Sequence, residues 1–279
     1  MSEIYFIAEA GINHNGSLDT ALKLIDVAVE AGCDAVKFQK RTPEICVPLS
    51  MREVMRETPW GSMTYFDYKK KTEFGQEEYD AINDYARFKK IDWSASAWDI
   101  PSLEFLDQYK LPFHKIASAL STNKEFVFQV ARRGILTYAS IGMCTYEEID
   151  YVVETFQNAK TPLVLMHTVS TYPAKESDLN LRMIKTLEQK YHLPIGYSGH
   201  ETSVSPSIVA GTLGAVAIER HITLDRAMWG TDHAASLEPN GLKNLVGSLR
   251  KIDIVLGDGI KKTIPGESTI AAKLRYWEK

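Results

Sequence analysis

Along the 279-residue chain, short apolar runs alternate with stretches whose apolar residues recur every three or four positions. The runs predict buried strands at Tyr5–Glu9, Ala35–Gln39, Asp92–Ser96, Phe113–Ser118, Leu136–Ser140, Leu163–His167, Ile195–Ser198 and Ala215–His221. The first helical stretch, Leu18–Ala31, aligns Leu18, Ala21, Leu22, Ile25, Ala28 and Val29, with Ser17 placed to cap its start and Gly32 to end it. The same spacing predicts helices over Gln76–Lys90, Pro101–Tyr109, Lys124–Arg133, Thr145–Asn158, Leu179–Tyr191, Ser203–Gly214 and Glu238–Leu256. Strands and helices in strict alternation predict a parallel sheet closed into a single (β/α)8 TIM barrel over residues 1–279, with an open doubly wound sheet as the alternative. Arg41–Gly75, with Pro43, Pro48, Pro59 and several aromatics, is too long for an ordinary βα loop and reads as a lid or binding loop. The tail over 257–279 reads as a short closing helix.

Composition narrows the class. With 44% hydrophobic and 24% charged residues the chain can build one large core. A net charge of -4 without a Lys/Arg block argues against nucleic acid or an anionic membrane as partner. No signal-peptide pattern opens the chain and no apolar run nears the roughly 20 residues of a membrane span, so a cytoplasmic protein is expected. Cys33, Cys46 and Cys144, far apart and without CxxC spacing, suit a reducing compartment.

In such a barrel, chemistry collects where the strands end. Those ends carry Glu9, then Lys37 and Gln39, Ser94 and Ser96, Lys115 and Ser118, Ser140, His167 with nearby Ser170 and Tyr172, Ser198 and His200, and Glu219 and His221. Packing explains any one of them equally well. Together they form a site for a small anion bearing carboxylate or phosphate, held by Lys37, Lys115 and hydroxyl donors. His200 and His221, from neighbouring strands, can hold a divalent metal completed by water and substrate, or can simply be hydrogen-bonded in the mouth. His167 suits a supporting or packing role, His114 and His192 are expected at the surface or in loops, and His233 beside Asp232 fits either setting. Neither G-x-x-x-x-G-K-[ST] nor G-x-G-x-x-G occurs, which leaves a nucleotide cofactor unsupported, and without a G-x-S-x-G elbow acyl transfer has no foothold.

The segments "IAEAGINHNGSLDTALKLIDVAVEAGCDAVKFQ", "HKIAS", "YASIGM", "IGYSGHETS" and "ERHITLDRAMWGTDHAASLEP" resemble the sialic acid synthase (N-acetylneuraminate synthase) family, from Ile7 to about Lys262. The resemblance implies a transferase that condenses phosphoenolpyruvate with an open-chain, N-acetylmannosamine-like aldose, giving a sialic-acid-like 3-deoxy-2-ulosonic acid and phosphate, with manganese or magnesium required. It places the metal histidines on His200 and His221, and phosphoenolpyruvate contacts on Lys37, Lys115, Ser118, Ser140 and Ser198. Ser170 falls where members have Asn or Ser, sugar contacts fall on Tyr172 and Asp232, and the catalytic glutamate of the first strand falls on Glu9. Gln39 joins the substrate-binding set at the second strand's end.

Two departures qualify the resemblance. Where the family has "KIGSGE" or "KIGSGD" this chain has "KIASAL", so Leu120 replaces a carboxylate that shares the acid–base work. Glu9 and water then suffice, or Glu219 takes over, or the reaction differs; Glu219 and Arg220 are expected to pair and position His221. Members also continue into a small antifreeze-like domain that lends an arginine to the partner's sugar site in the dimer. This chain stops at Lys279, so a barrel without that domain is expected, and a homodimer would have to form through barrel surfaces. The alternatives are a synthase of another 3-deoxy sugar acid, such as a non-acetylated nonulosonate or an octulosonate, and a non-catalytic sugar-phosphate-binding barrel.

Overall fold

The computed structural model describes residues 3–278. Its strands are β1 (Tyr5–Gly11), β2 (Ala35–Lys40), β3 (Met55–Thr58), β4 (Gly61–Thr64), β5 (Asp92–Ala97), β6 (His114–Ile116), β7 (Thr137–Ser140), β8 (Leu163–Thr168), β9 (Ile195–Gly199) and β10 (Ala217–His221). All but the β3–β4 hairpin belong to one 8-stranded sheet in the order β5-β2-β1-β10-β9-β8-β7-β6, with every recorded pairing parallel. The barrel closes where β5 meets β6, and there the Ser94 hydroxyl donates to the Phe113 carbonyl at 2.7 Å.

Both faces of these strands are covered, which is why they read as apolar runs rather than as alternating patterns. Inside the barrel, Ile7, Ala35, Phe113, Tyr138, Val164, Met166 and Ala217 form an apolar floor. Outside it, a larger core that includes Leu24, Ile25, Ile82, Val127, Phe156, Leu187 and Leu245 joins strands to helices. Burying a side chain of this size is worth about 1.5–3 kcal/mol each.

The first helix runs over Leu18–Ala31 as the spacing predicts: Ser17 Oγ accepts from the Thr20 N–H, and Gly32 ends it in the left-handed region at φ 78°. Other boundaries move for local reasons. The sixth helix begins at Met183 instead of Leu179, because Asn180 adopts a left-handed φ of 44° that interrupts the turn. The seventh occupies Ser205–Thr212, with Pro206 in its first turn, and the eighth divides into Pro239–Leu249 and Ile252–Leu256.

The segment after β2 carries structure of its own: short helices at Pro43–Cys46 and Leu49–Arg52, the β3–β4 hairpin and a helix over Tyr65–Thr72. It packs onto the loop that follows β10, where Trp60 and Tyr68 meet Trp229 edge-on at 6.1 and 5.1 Å. The tail does form a helix, Pro265–Leu274, but that helix buries no side chain and so does not act as the expected closing element. Its apolar stripe, Ile270 and Leu274, is narrower than a docked helix presents. Among the described residues no helix is long and apolar enough to cross a membrane.

Candidate active site

Strand periodicity of two decides which terminal side chains enter the barrel. Above the apolar floor, Glu9, Lys37, Lys115 and Glu219 occupy one buried polar layer. Lys37 Nζ lies 2.6 Å from a Glu9 carboxylate oxygen and 3.8 Å from Glu219, and it donates to Ser96 Oγ at 2.8 Å. Lys115 Nζ lies 3.2 Å from Glu219 and donates to Ser140 Oγ at 2.7 Å. The Ser198 hydroxyl donates to Glu219 at 3.0 Å, and Gln39 donates to Glu9 at 2.8 Å. Two lysines and two glutamates neutralise each other here, as buried charges must. Burial opposes ionisation of Glu219, yet Lys115, Lys37 and His221 outweigh it and hold the carboxyl below the usual carboxylate range. Lys115 is itself pulled down by burial, with Lys37 adding and Glu219 opposing.

Glu9, Lys37, Gln39, Lys115, Ser140, Ser198 and Glu219 line a cleft of about 170 Å³ together with Ser118, Ser170, Tyr172, His200 and His221. Ser118 and Ser170 converge at Gly142, where an added Cβ would press on Ser170 Oγ and stand 3.0 Å from Ser118 Oγ, so only glycine leaves both hydroxyls in place. Asp232 lies at the cleft's edge, 3.9 Å from His221 Nδ1 and hydrogen-bonded by Thr231 at 2.8 Å. Burial works against its charge, but His221, Thr231, Arg41 and Lys69 hold the carboxyl below its ordinary value.

His200 and His221 have ring centroids 5.5 Å apart, and the Tyr172 ring lies 4.0 Å from that of His200, tilted by 38°. The Val169 carbonyl can only accept, so His200 Nδ1 carries the proton in their 2.8 Å contact, and Nε2 is left with its lone pair. Burial, then the neighbouring His221, pushes the His200 imidazole down to about 3, which keeps it neutral. His221 Nδ1 is buried without a hydrogen-bond partner. A neutral imidazole and an orphaned ring nitrogen in one cleft are donors that fit a divalent cation. Among the described residues no group of three or more His, Cys, Asp or Glu is arranged to hold a metal, so other ligands would come from water or substrate.

Several expectations are corrected. Glu219 and Arg220 do not pair: adjacent strand residues point to opposite faces, and Arg220 leaves the barrel to meet Glu201 at 2.9 Å and Ser207 Oγ at 2.9 Å. His114 is not a surface residue but is buried on β6, its imidazole pushed down to about 4 by burial and by Arg133. As expected, His167 has a packing role, facing outward with the Leu179 carbonyl at 2.7 Å, and His192 is exposed at a helix end. His233 is buried with Nδ1 on Thr223 Oγ1 at 2.7 Å. Ser94 is spent on the barrel seam. Leu120 packs partly buried against the outer core, so no carboxylate stands at its position.

Arg41, Trp98, Thr168 and Lys69 were not singled out as site residues. Trp98 and Thr168 line the cleft, and the Arg41 guanidinium lies 4.3 Å from the centre of the Trp98 ring. Arg41, Trp98 and Thr168 sit at or just past strand ends, a position that marks them. Nothing local marks Lys69, which comes near Asp232 through the folding of the inserted segment.

Residues 24–261 match the NeuB family. The chain is 36% identical over 273 residues to N-acetylneuraminate-9-phosphate synthase of Homo sapiens, covering 97% of this chain and 76% of that protein. It is 34% identical over 278 residues to N,N'-diacetyllegionaminic acid synthase of Legionella pneumophila, covering 97% and 78%. Among solved structures, N-acetylneuraminic acid (sialic acid) synthetase from Leptospira borgpetersenii in complex with citrate superposes with a TM-score of 0.86 at 33% identity, over 99% of this chain and 93% of that one.

Proposed function

The chain belongs to the NeuB family, and on that premise we propose that it condenses phosphoenolpyruvate with an open-chain, N-acetylmannosamine-like aldose to give a sialic-acid-like 3-deoxy-2-ulosonic acid and phosphate. The observation that carries this reading is the buried layer in which Lys37 and Lys115 face Glu9 and Glu219 beside the His200–His221 pair. The two ammonium groups offset the carboxylate and phosphate of phosphoenolpyruvate, and the hydroxyls of Ser118, Ser140, Ser170 and Ser198 orient them. Tyr172, Gln39 and Asp232 take the hydroxyls and the amide of the sugar. His200 and His221 hold the divalent cation, manganese or magnesium; when bound, it supplies Lewis-acid polarisation of the aldehyde oxygen.

C3 of phosphoenolpyruvate bonds to the aldehyde carbon as the C2–C3 π bond breaks, and the aldehyde oxygen takes up a proton from solvent water. C2 becomes electron-deficient and is captured by water, which loses its proton to Glu9. Collapse of that adduct forms the C2 carbonyl as its hydroxyl proton passes to the departing phosphate, breaks the bond from C2 to the phosphate oxygen and frees inorganic phosphate. Glu219, held ionised between two lysines, serves as a counterion and not as the proton donor that Leu120 cannot be. A cytoplasmic site of action and a homodimer belong to the same reading.

The test is phosphate release from phosphoenolpyruvate, with manganese or with chelator, across N-acetylmannosamine, its 6-phosphate, mannose and arabinose 5-phosphate. Metal-dependent release with an acceptor is expected. No release from protein that binds phosphoenolpyruvate and metal would overturn the reading. Glu9→Gln is expected to lower kcat by about 100-fold or more, and unchanged turnover would remove Glu9 from the scheme.

A further inference from the structure

Among the described residues, the ladder between β9 and β10 pairs Ile218 with Tyr197, Glu219 with Ser198 and Arg220 with Gly199, and stops there. His200 and His221 are the residues directly after that last pair, so the ladder does not fix one imidazole against the other. Each is tethered on its far side instead. Around His221, the Ile222 N–H donates to the Glu9 carbonyl at 2.9 Å and the Leu237 N–H to the His221 carbonyl at 2.8 Å. The His200 carbonyl accepts from the Ala174 N–H at 3.0 Å, and its ring meets the Val169 carbonyl at 2.8 Å, both partners lying in the loop after β8.

Arg220 spans the gap that the ladder leaves. Wholly buried outside the barrel, its guanidinium donates to the Glu201 carbonyl, to the Ser203 carbonyl at 2.9 Å and to Ser207 Oγ at 2.9 Å, and it pairs with the Glu201 carboxylate at 2.9 Å. Glu201 in turn accepts from the Tyr197 hydroxyl at 2.7 Å, which anchors it to β9. Gly199 leaves the room this requires, since a Cβ there would stand only 2.7 and 2.8 Å from the two Glu201 carboxylate oxygens. Arg220 thus precedes one histidine, Glu201 follows the other, and the two are locked together.

We propose that Arg220 and Glu201 are positioning residues that set the separation of His200 and His221 and thereby the affinity of that pair for a divalent cation. The proposal rests on the reading of the two histidines as metal ligands and assigns a part in that centre to residues outside the barrel. With no third His, Cys, Asp or Glu ligand among the described residues, little else from the protein fixes the geometry there. Ligand distances at a metal tolerate only about 0.2 Å, so the join between β9 and β10 matters beyond the end of their ladder. A planar guanidinium fork fixes direction as well as distance, which a point charge does not. Stability alone does not call for this pair, because well-packed apolar residues commonly serve a core as well as a buried ion pair does.

The experiment measures manganese affinity by the paramagnetic resonance of the free ion, phosphoenolpyruvate binding by calorimetry with chelator present, and melting temperature, on the full 279-residue chain. Glu201→Gln and the double variant Arg220→Met with Glu201→Leu should each bind manganese about tenfold more weakly, while phosphoenolpyruvate binding changes by less than about twofold. The double variant removes both buried charges, so its weakened manganese binding would persist even where the melting temperature recovers. Arg220→Lys keeps the charge and loses the fork, and should weaken manganese binding by about threefold or more near the wild-type melting temperature; this variant decides the matter if the double variant does not fold. Manganese affinity equal to that of the wild type in the folded variants, or manganese and phosphoenolpyruvate affinities falling by the same factor, would overturn the positioning role and leave the metal reading standing. A wild type without manganese affinity would overturn both.

Discussion

Lys115 and Glu219 face each other at 3.2 Å inside the barrel, where their side chains are only 4% and 7% exposed. With Lys37 and Glu9 they make a polar layer that is neutral when the cleft is empty and gains net negative charge when an anion enters. The glutamates thus offset the lysines' charge and compete with the anion for them.

Replacing Glu219 by Gln leaves two buried lysines with one carboxylate. Breaking a buried pair costs about 3–5 kcal/mol, so urea unfolding of Glu219→Gln should show a loss of that order. Phosphoenolpyruvate supplies the missing charge and is expected to raise the melting temperature more in the variant than in the wild type. A ligand-induced shift no larger than that of the wild type would separate the lysines from anion binding.

The His200–His221 pair is tested directly by manganese binding, followed through the paramagnetic resonance of the free ion. His200→Ala and His221→Ala should each weaken affinity by at least about tenfold. Affinity equal to that of the wild type in both variants would place the metal elsewhere.

Arg220 and Glu201 are wholly buried, and their 2.9 Å pair also joins Ser203 and Ser207. Glu201→Gln should cost about 3–5 kcal/mol in urea unfolding, because it strands a guanidinium in the core. Arg220→Met combined with Glu201→Leu should recover much of that loss. A double variant as unstable as the single one would mean that the guanidinium's backbone contacts, not the charge pairing, carry the effect.

His114 supplies a pH test away from the cleft. Burial lowers its imidazole from the unfolded value near 6.5 to about 4, so the unfolded chain binds the extra proton first as pH falls. This part of the stability is complete above about pH 6.5 and is lost from there down through pH 4, by up to about 1.4 kcal/mol per unit. Its Nε2 has no hydrogen-bond partner to lose. His114→Phe should therefore flatten the acid limb of the urea midpoint over that window, and an unchanged slope would contradict the assignment.

Periodicity in the chain was enough to give the barrel, since it reports which faces of each strand and helix meet apolar neighbours, and that is set by local backbone geometry. It also brought Glu9, Lys37, Lys115, His200 and His221 to one mouth, because parallel strands end on the same side. What Glu219 and Arg220 do was out of its reach. They are adjacent in sequence, yet one pairs with lysines from two distant strands and the other with Glu201 outside the barrel. Likewise, Lys69 stands near Asp232 only because an inserted helix packs back onto the loop around Trp229. The partner of a buried charge is fixed by chain closure over long separations, for which the local pattern holds no signal, so the tertiary structure alone decided it.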